Sequence, residues 1–178
     1  MATTKWVLDP SHSELGFKVK HLMVTNVSGS FNNFSVTAET IADNFSNASV
    51  AFSAETASIT TNSEQRDTHL KSADFFDAEH YPAITFKATQ FEKTRNGSDY
   101  QLTGDLTMKG VTKSIKLHVE FGGLVKDPWG NSKAGFTVTG KINRKDFGLN
   151  WNAALETGGV MVSEEVRINS EIQLIKQA

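Results

Sequence analysis

An all-β chain, folded as an antiparallel barrel of about eight strands with one short helix, is what this sequence predicts. Three observations predict it. Apolar residues recur at every second position in run after run, turn residues separate the runs, and one stretch alone changes to a helical pattern. Such alternation puts one set of side chains on an inner face and the other set in water.

The runs can be taken in order. Leu15, Phe17 and Val19 alternate with Gly16, Lys18 and Lys20, and Ala48, Val50, Phe52 and Ala54 alternate with mostly small polar residues. Ile84, Phe86 and Ala88 follow, then Leu102, Gly104, Leu106 and Met108. Ile115, Leu117, Val119 and Phe121 enclose Lys116, His118 and Glu120, which puts His118 on the outward register. Phe136 and Val138 lead to Gly140 and Ile142, and the last run is Val166, Ile168, Ser170, Ile172 and Leu174. Between runs, Asn96-Gly97 favours a type I′ hairpin turn and Lys109-Gly110 reads as another tight hairpin. Asp127-Pro128-Trp129-Gly130 fits a type I turn, and Gly158-Gly159 marks a loop. Many strands joined by short turns predict an up-and-down meander that closes on itself.

The exception runs from Thr61 to about Ser72. Thr61 and Glu64 match a capping box, and Asp67 and Lys71 stand at i, i+4, so one short helix is expected here. Asp74-Phe75-Phe76-Asp77 and Tyr81-Pro82 then link to the next strand, as an aromatic loop able to cover a barrel mouth.

Composition narrows the function classes. The 178 residues, with neither a repeat nor a linker-like stretch, are expected to form a single domain over 1–178. Apolar residues at 38% can build a core, and twelve Phe against two Tyr and three Trp suit a greasy interior. A net charge of −2 without a Lys/Arg run argues against nucleic acid as a partner. The absence of Cys excludes disulfides, thiolate nucleophiles and Cys-based metal sites. There is no run of apolar residues long enough for a transmembrane segment. With no apolar leader at the N-terminus, the chain as given is expected in the cytoplasm, or in the periplasm if a leader has been removed.

Whether the barrel is solid or hollow is left open by pattern. The inner faces mix large apolar residues with Ala48, Ala54, Ala88, Gly104 and Gly140, which either leave room or are filled by larger neighbours.

Specific strings bear on this. Trp6-Val7-Leu8-Asp9-Pro10-Ser11-His12-Ser13 with Phe17 to Leu22, and Val27-Ser28-Gly29-Ser30-Phe31 with Phe34, resemble the start of the YceI-like family. Ser58 to Asn62, Arg66-Asp67-Thr68-His69-Leu70-Lys71-Ser72, Asp74 to Asp77 and Tyr81 to Phe86 are similar to its central signature. Gly104 to Lys113, Ile142-Asn143-Arg144-Lys145-Asp146-Phe147-Gly148 and Val162 to Val166 continue it in order, from about residue 5 to 175. The resemblance implies an extended lipocalin-like barrel. It also implies that the interior holds an isoprenoid, an isoprenoid quinone or a fatty-acid derivative, with transport, storage, sensing or a stress response as roles and a homodimer as an assembly.

The inner-register residues expected to line such a cavity are Phe17, Val19, Phe31, Phe34, Val50, Phe52, Ile84, Phe86, Leu102, Leu106, Leu117, Phe136, Val138 and Ile142. A bulky residue at Ala88 is expected to obstruct it. His21, Arg66, Asp67, His69 and Arg144 are candidates for contacting a ligand's polar head, or for tying the helix and turns to the barrel. Arg66 and Asp67, being adjacent, point about 100° apart and need separate partners. Five histidines show no HExxH or similar spacing, so neither a metal site nor a cofactor is expected. No nucleophile elbow, P-loop or dinucleotide fingerprint occurs. The expectation is a lipid-binding protein and not an enzyme. The alternative is an enzyme acting on a lipid or isoprenoid through polar residues at the barrel mouth.

Overall fold

The computed structural model describes residues 2–95, 97, 99–152 and 161–177. The alternating runs become strands because a pleated chain can bury every second side chain while its N–H and C=O groups pair sideways. β1 (Thr3–Leu8) and β2 (Glu14–His21) make one stave, bent by a 3-10 turn at Pro10–His12. β3 (Thr25–Phe31) and β4 (Phe34–Ile41) make the second, bent at Asn32 and Asn33. β5 (Asn44–Glu55) and β6 (Ile59–Thr60) make the third. α1 (Glu64–Lys71) follows, and then five single-strand staves: β7 (Ala83–Lys93), β8 (Asp99–Met108), β9 (Val111–Lys126), β10 (Ser132–Asn143) and β11 (Val162–Lys176).

Each stave pairs antiparallel with the next in sequence, and β11 closes the ring. The end of β11 faces β1, with Leu174 opposite Leu8, and its earlier part faces β2, with Ser170 opposite Leu15. Among the described residues this is a closed antiparallel barrel of eight staves with one short helix. No described helix is long and apolar enough to cross a membrane.

Turn chemistry follows the sequence where it is described. Lys109 and Gly110 both have positive φ, 50° and 76°, as a type I′ turn requires. Gly130 N–H donates to the Asp127 carbonyl at 3.1 Å, and the Asp127 carboxylate accepts from Trp129 N–H and Asn131 N–H. Asn96 and Gly158-Gly159 lie outside the described residues.

The expected helix needs correction, and the point left open at the small inner residues is decided for two of them. The helix is shorter than 61–72, and Thr61 does not pair with Glu64 in a capping box. Ser63 is the N-cap, accepting from Arg66 N–H at 3.4 Å. Thr61 instead gives its N–H and its hydroxyl to one Asp67 oxygen, at 2.8 and 2.6 Å, which turns Asp67 away from Lys71. Nor do Gly104 and Gly140 leave room. A Cβ at Gly104 would collide with the Phe86 ring, and one at Gly140 with a Leu117 methyl. Cross-strand neighbours fold over these glycines, so close packing consumes the space they offer.

The two ends of the barrel differ. At one end lie the turns after β4, β7 and β9, over a plug of aromatic rings. Phe45 sits 5.0 Å from both Trp6 and Phe136, and Phe121 sits 5.2 Å from Phe136. Phe91 stacks on Tyr100 at 4.6 Å, and Trp6 is wholly buried with its indole N–H donating to Thr40 Oγ1 at 2.9 Å. At the other end lie the β2–β3 and β8–β9 turns, α1 and a 3-10 turn at Arg144–Phe147. This end is the mouth.

Candidate binding chambers

Behind the mouth the barrel is hollow. An outer chamber of about 290 Å³ lies under α1, and an inner chamber of about 150 Å³ lies deeper, toward the aromatic plug. Leu15, Phe52, Leu106 and Ile168 line both and stand at the border between them. The outer chamber approaches the lower end of the range usual for ligand pockets, about 300–1,000 Å³.

The structure distributes the expected lining residues over the two spaces. Phe17, Val19, Phe31, Ile84 and Ile142 face the outer chamber, and Val50, Phe86, Leu102, Leu117, Phe136 and Val138 face the inner one. Phe52 and Leu106 face both. Phe34 lines neither: just past the Asn32–Asn33 bend, its ring packs against Phe52 at 6.2 Å. Ala88 also lines neither. It stands beside the β7–β8 register shift, partly buried against the core.

The loop after α1 covers the mouth. Phe75 is buried, Phe76 meets Phe31 edge-on at 5.9 Å, and both line the outer chamber. His69 stands edge-on to Phe75 at 5.1 Å and to Trp151 at 4.8 Å, while its Nε2 lies 2.9 Å from Asp74 Oδ2. Phe75, Phe76 and Trp151 thus cap the hollow, and His69 adds its ring body to them while its Nε2 meets Asp74 at the surface.

Two polar knots hold this cap. In the first, Arg66 Nε donates to Thr61 Oγ1 and its Nη2 to the Thr61 carbonyl, both at 2.7 Å, on the same residue that Asp67 holds. The second is Arg144, buried and donating to the carbonyls of Leu149, Trp151, Ser163 and Val162 at 2.6 to 3.2 Å. Burial lowers its pKa from the ordinary arginine value, against the opposing pull of Glu164. A planar five-donor fork can gather carbonyls from two separate segments at once, which a lysine cannot. The first knot favours the tying role over the head-group role for Arg66 and Asp67, and the second favours it for Arg144. Asp67 lines neither chamber, whereas His21, Arg66, His69 and Arg144 all border the outer one.

Sequence reasoning passed over several lining residues. Leu15, Val166 and Ile168 were in phase with their runs and could have been included. Thr61 and Trp151 carry no periodic signal, because bends and turns bring them to the mouth, and Lys20 lines the chamber from the outward register of β2, near its end. At the closed end, His118 is half exposed as its register implies, with Nε2 3.3 Å from Asp99 Oδ2. Asp99, His118 and Glu120 each bring one ligand-type atom within 4.8 Å of the others on the outer surface, away from both chambers.

The YceI-like domain family matches residues 6–174. The chain belongs to the YceI-like family. A relative from Staphylococcus aureus (strain MSSA476), the UPF0312 protein SAS2572, is 42% identical over 171 residues, covering 96% of each chain. The solved structure of the Campylobacter jejuni YCEI protein is 33% identical, with a TM-score of 0.75 over 96% of this chain and 97% of that one. A Saccharophagus degradans domain described as polyisoprenoid-binding and implicated in plant cell wall breakdown shares the fold. It superposes with a TM-score of 0.68 at 13% identity, over 97% of this chain and 98% of that one. The strings that resemble the YceI-like family sit largely at the mouth. Arg66 to Ser72 covers most of α1 and its C-cap, Asp74 to Asp77 the aromatic cover, and Ile142 to Gly148 the end of β10 with the turn that carries Arg144.

Proposed function

We propose that this protein binds one long apolar molecule inside its barrel, an isoprenoid, an isoprenoid quinone or a fatty-acid derivative, as a carrier, store or sensor. One observation carries the reading: two apolar chambers that share four bordering residues lie in succession between a covered mouth and an aromatic plug. The tail occupies the inner chamber and the polar end stays near Lys20, His21 and Arg144 at the mouth. A buried chain gains about 0.8 kcal/mol per CH₂, so a tail filling this hollow offsets the cost of association without a charged contact along its length. The polyisoprenoid-binding description of the Saccharophagus domain supports the same ligand class.

Binding is favoured over catalysis by the state of the polar groups. Arg66 and Asp67 are engaged with Thr61, His69 with Asp74, and Arg144 with four carbonyls. No acid and base among them are aimed together at the hollow, as proton transfer to a bound substrate would need.

Native mass spectrometry of the purified protein, with organic extraction, is expected to show a copurifying lipid. Ala54→Phe, which adds bulk at an outer-chamber wall, should lower uptake of the apolar dye N-phenyl-1-naphthylamine at least severalfold. Unchanged uptake in a folded variant would refute the proposed cavity.

A further inference from the structure

The mouth carries an exposed apolar tip. Leu22, Met23 and Val24 form the β2–β3 turn and are 39%, 56% and 76% exposed. Val24 N–H donates to the His21 carbonyl at 3.1 Å, and Leu22 and Met23 both hold positive φ. Asn-Gly ordinarily makes such a turn, because a side chain in the left-handed region is strained. Here the strained positions carry large apolar groups into water, where polar turn residues would cost less. Leu22 N–H also donates to the Met161 carbonyl at 2.8 Å, which ties the tip to the rim. Lys20 and His21, just before it, border the outer chamber.

Charge on the wall behind the tip is polarised. Lys141 of β10 stands opposite Arg167 of β11, and Arg167 opposite Lys18 of β2, so three exposed cations share one cross-strand row. Like charges placed directly opposite repel. Glu165 lies 3.9 Å from Lys141 and 3.4 Å from Arg167, and Glu164 is taken up by Lys145 at 2.9 Å. Among the described residues Lys18 and Lys20 have no ion-pair partner. Toward the plug β2 and β11 present carboxylates instead, with Glu171 opposite Glu14. An anionic surface is therefore attracted to the mouth half of this wall and repelled by the other half. A second exposed apolar group, Leu124, Val125 and Trp129, lies on the β9–β10 hairpin at the closed end. It borders neither chamber, and Lys133 beside it is tied to Asp9 and Asp127.

We infer that the β2–β3 tip docks the mouth on an anionic phospholipid bilayer. Leu22, Met23 and Val24 enter the interface, and the cations behind them, Lys20 first and then Lys18 and Arg167, are drawn to the lipid phosphates. Lys20 and Lys18 stand about 7 and 13 Å behind Leu22 along the strand. Long cationic side chains span such depths when the tip lies at the boundary between headgroups and acyl chains. Apolar contact then adds to an attraction that acts within a Debye length, about 8 Å at physiological salt. A nucleic acid would satisfy the cations and leave three apolar side chains in water. The docked mouth faces hydrocarbon, so an apolar ligand passes between bilayer and barrel without crossing solvent. This entry route rests on the binding reading above.

Vesicles of phosphatidylcholine, with and without phosphatidylglycerol, provide the test. Cosedimentation should show a preference of about tenfold or more for the anionic vesicles, weakened by salt. Met23→Asp with Val24→Asp should lower that binding severalfold or more, and Lys18→Glu with Arg167→Glu should abolish the anionic preference. None of these four residues lines a chamber, so uptake of N-phenyl-1-naphthylamine without vesicles should be unchanged and reports that the variants are folded. The chain has no Cys, so a nitrobenzoxadiazole label can be placed singly. At Met23→Cys its emission should rise and shift to the blue on anionic vesicles, and at Trp129→Cys it should stay as in buffer. Equal binding to both vesicle types, binding that survives the tip variant, or a response at Trp129→Cys in place of Met23→Cys would overturn the docking while leaving the cavity reading intact. The cavity reading fails separately, if the unaltered protein takes up no dye in the absence of vesicles.

Discussion

The closed end and the mouth of this barrel are held by different physics. At the closed end six aromatic side chains, Trp6 and Phe45 among them, pack ring against ring, and Phe45, Phe91 and Phe136 form the floor of the inner chamber. At the mouth the interior is hollow, and order comes from polar knots in the wall: Arg144 on four carbonyls, and Arg66 with Asp67 on Thr61. The contrast teaches how a small barrel can contain space. Unfilled volume costs stability, so the chain concentrates dispersion energy at one end and anchors the rim of the void by directed bonds at the other.

The largest effect is expected where packing is densest. Trp6→Ala should cost about 3–5 kcal/mol, through lost burial and the cavity left behind, while Thr40 loses the indole donor and keeps its own bond to the Ala42 carbonyl. Urea unfolding would read this as a large fall in midpoint. A loss near zero would mean that the plug is not the stabilising end.

Next comes the mouth. Arg144→Met should cost about 2–3 kcal/mol by leaving buried carbonyls unpaired, and Arg144→Lys should rescue little of it. Hydrogen exchange should quicken around Leu149, Trp151 and Val162 while the β9–β10 ladder near the plug stays protected. Uniform loss of protection would show the two ends to be one cooperative unit.

The third prediction concerns the bend between β1 and β2. Asp9 is buried, and its carboxylate accepts from Lys133 Nζ at 2.8 Å, Ser11 Oγ at 2.8 Å and Gln173 Nε2 at 3.1 Å, with His12 Nδ1 at 2.8 Å. The Lys133 bond first, with those from His12 and Ser11 and the Lys133 charge, holds its pKa well below the usual carboxylate range, against the opposing effect of burial. A carboxylate whose folded pKa is depressed stabilises the fold above its unfolded pKa, and that contribution is lost as pH falls through the acid range. The wild-type protein should therefore lose stability progressively below about pH 4. Asp9→Asn should lose on the order of 2 kcal/mol at neutral pH and show a flatter acid limb. An unchanged acid profile in the variant would exclude Asp9 as the source.

The closed end was also the more legible end in the sequence. Phe136, Val138, Leu117 and Leu102 could be placed on the inner face because a strand repeats every two residues, and local sterics enforce that repeat. The mouth is built from bends, where the period fails. Nothing periodic marks Trp151 or Thr61, and the Leu22-Met23 turn has positive φ at both residues, 52° and 62°, without a Gly or Asn to signal it. The helix was found, but its cap was misassigned, because Asp67 reaches back to Thr61 across a turn that sequence spacing does not display.

Taken alone, the order of residues determined the barrel, its strand alternation, its one helix and the greasy character of its inside. These are consequences of local geometry, and local geometry is written in neighbouring residues. Whether that inside was solid or hollow was decided only by the tertiary structure. Phe86 folds over Gly104 and Leu117 over Gly140, which fills space the sequence offered, while Leu15, Phe52, Leu106 and Ile168 border two spaces that remain. Volume left unfilled is a difference between large opposing quantities summed over every stave, and no single strand contains it.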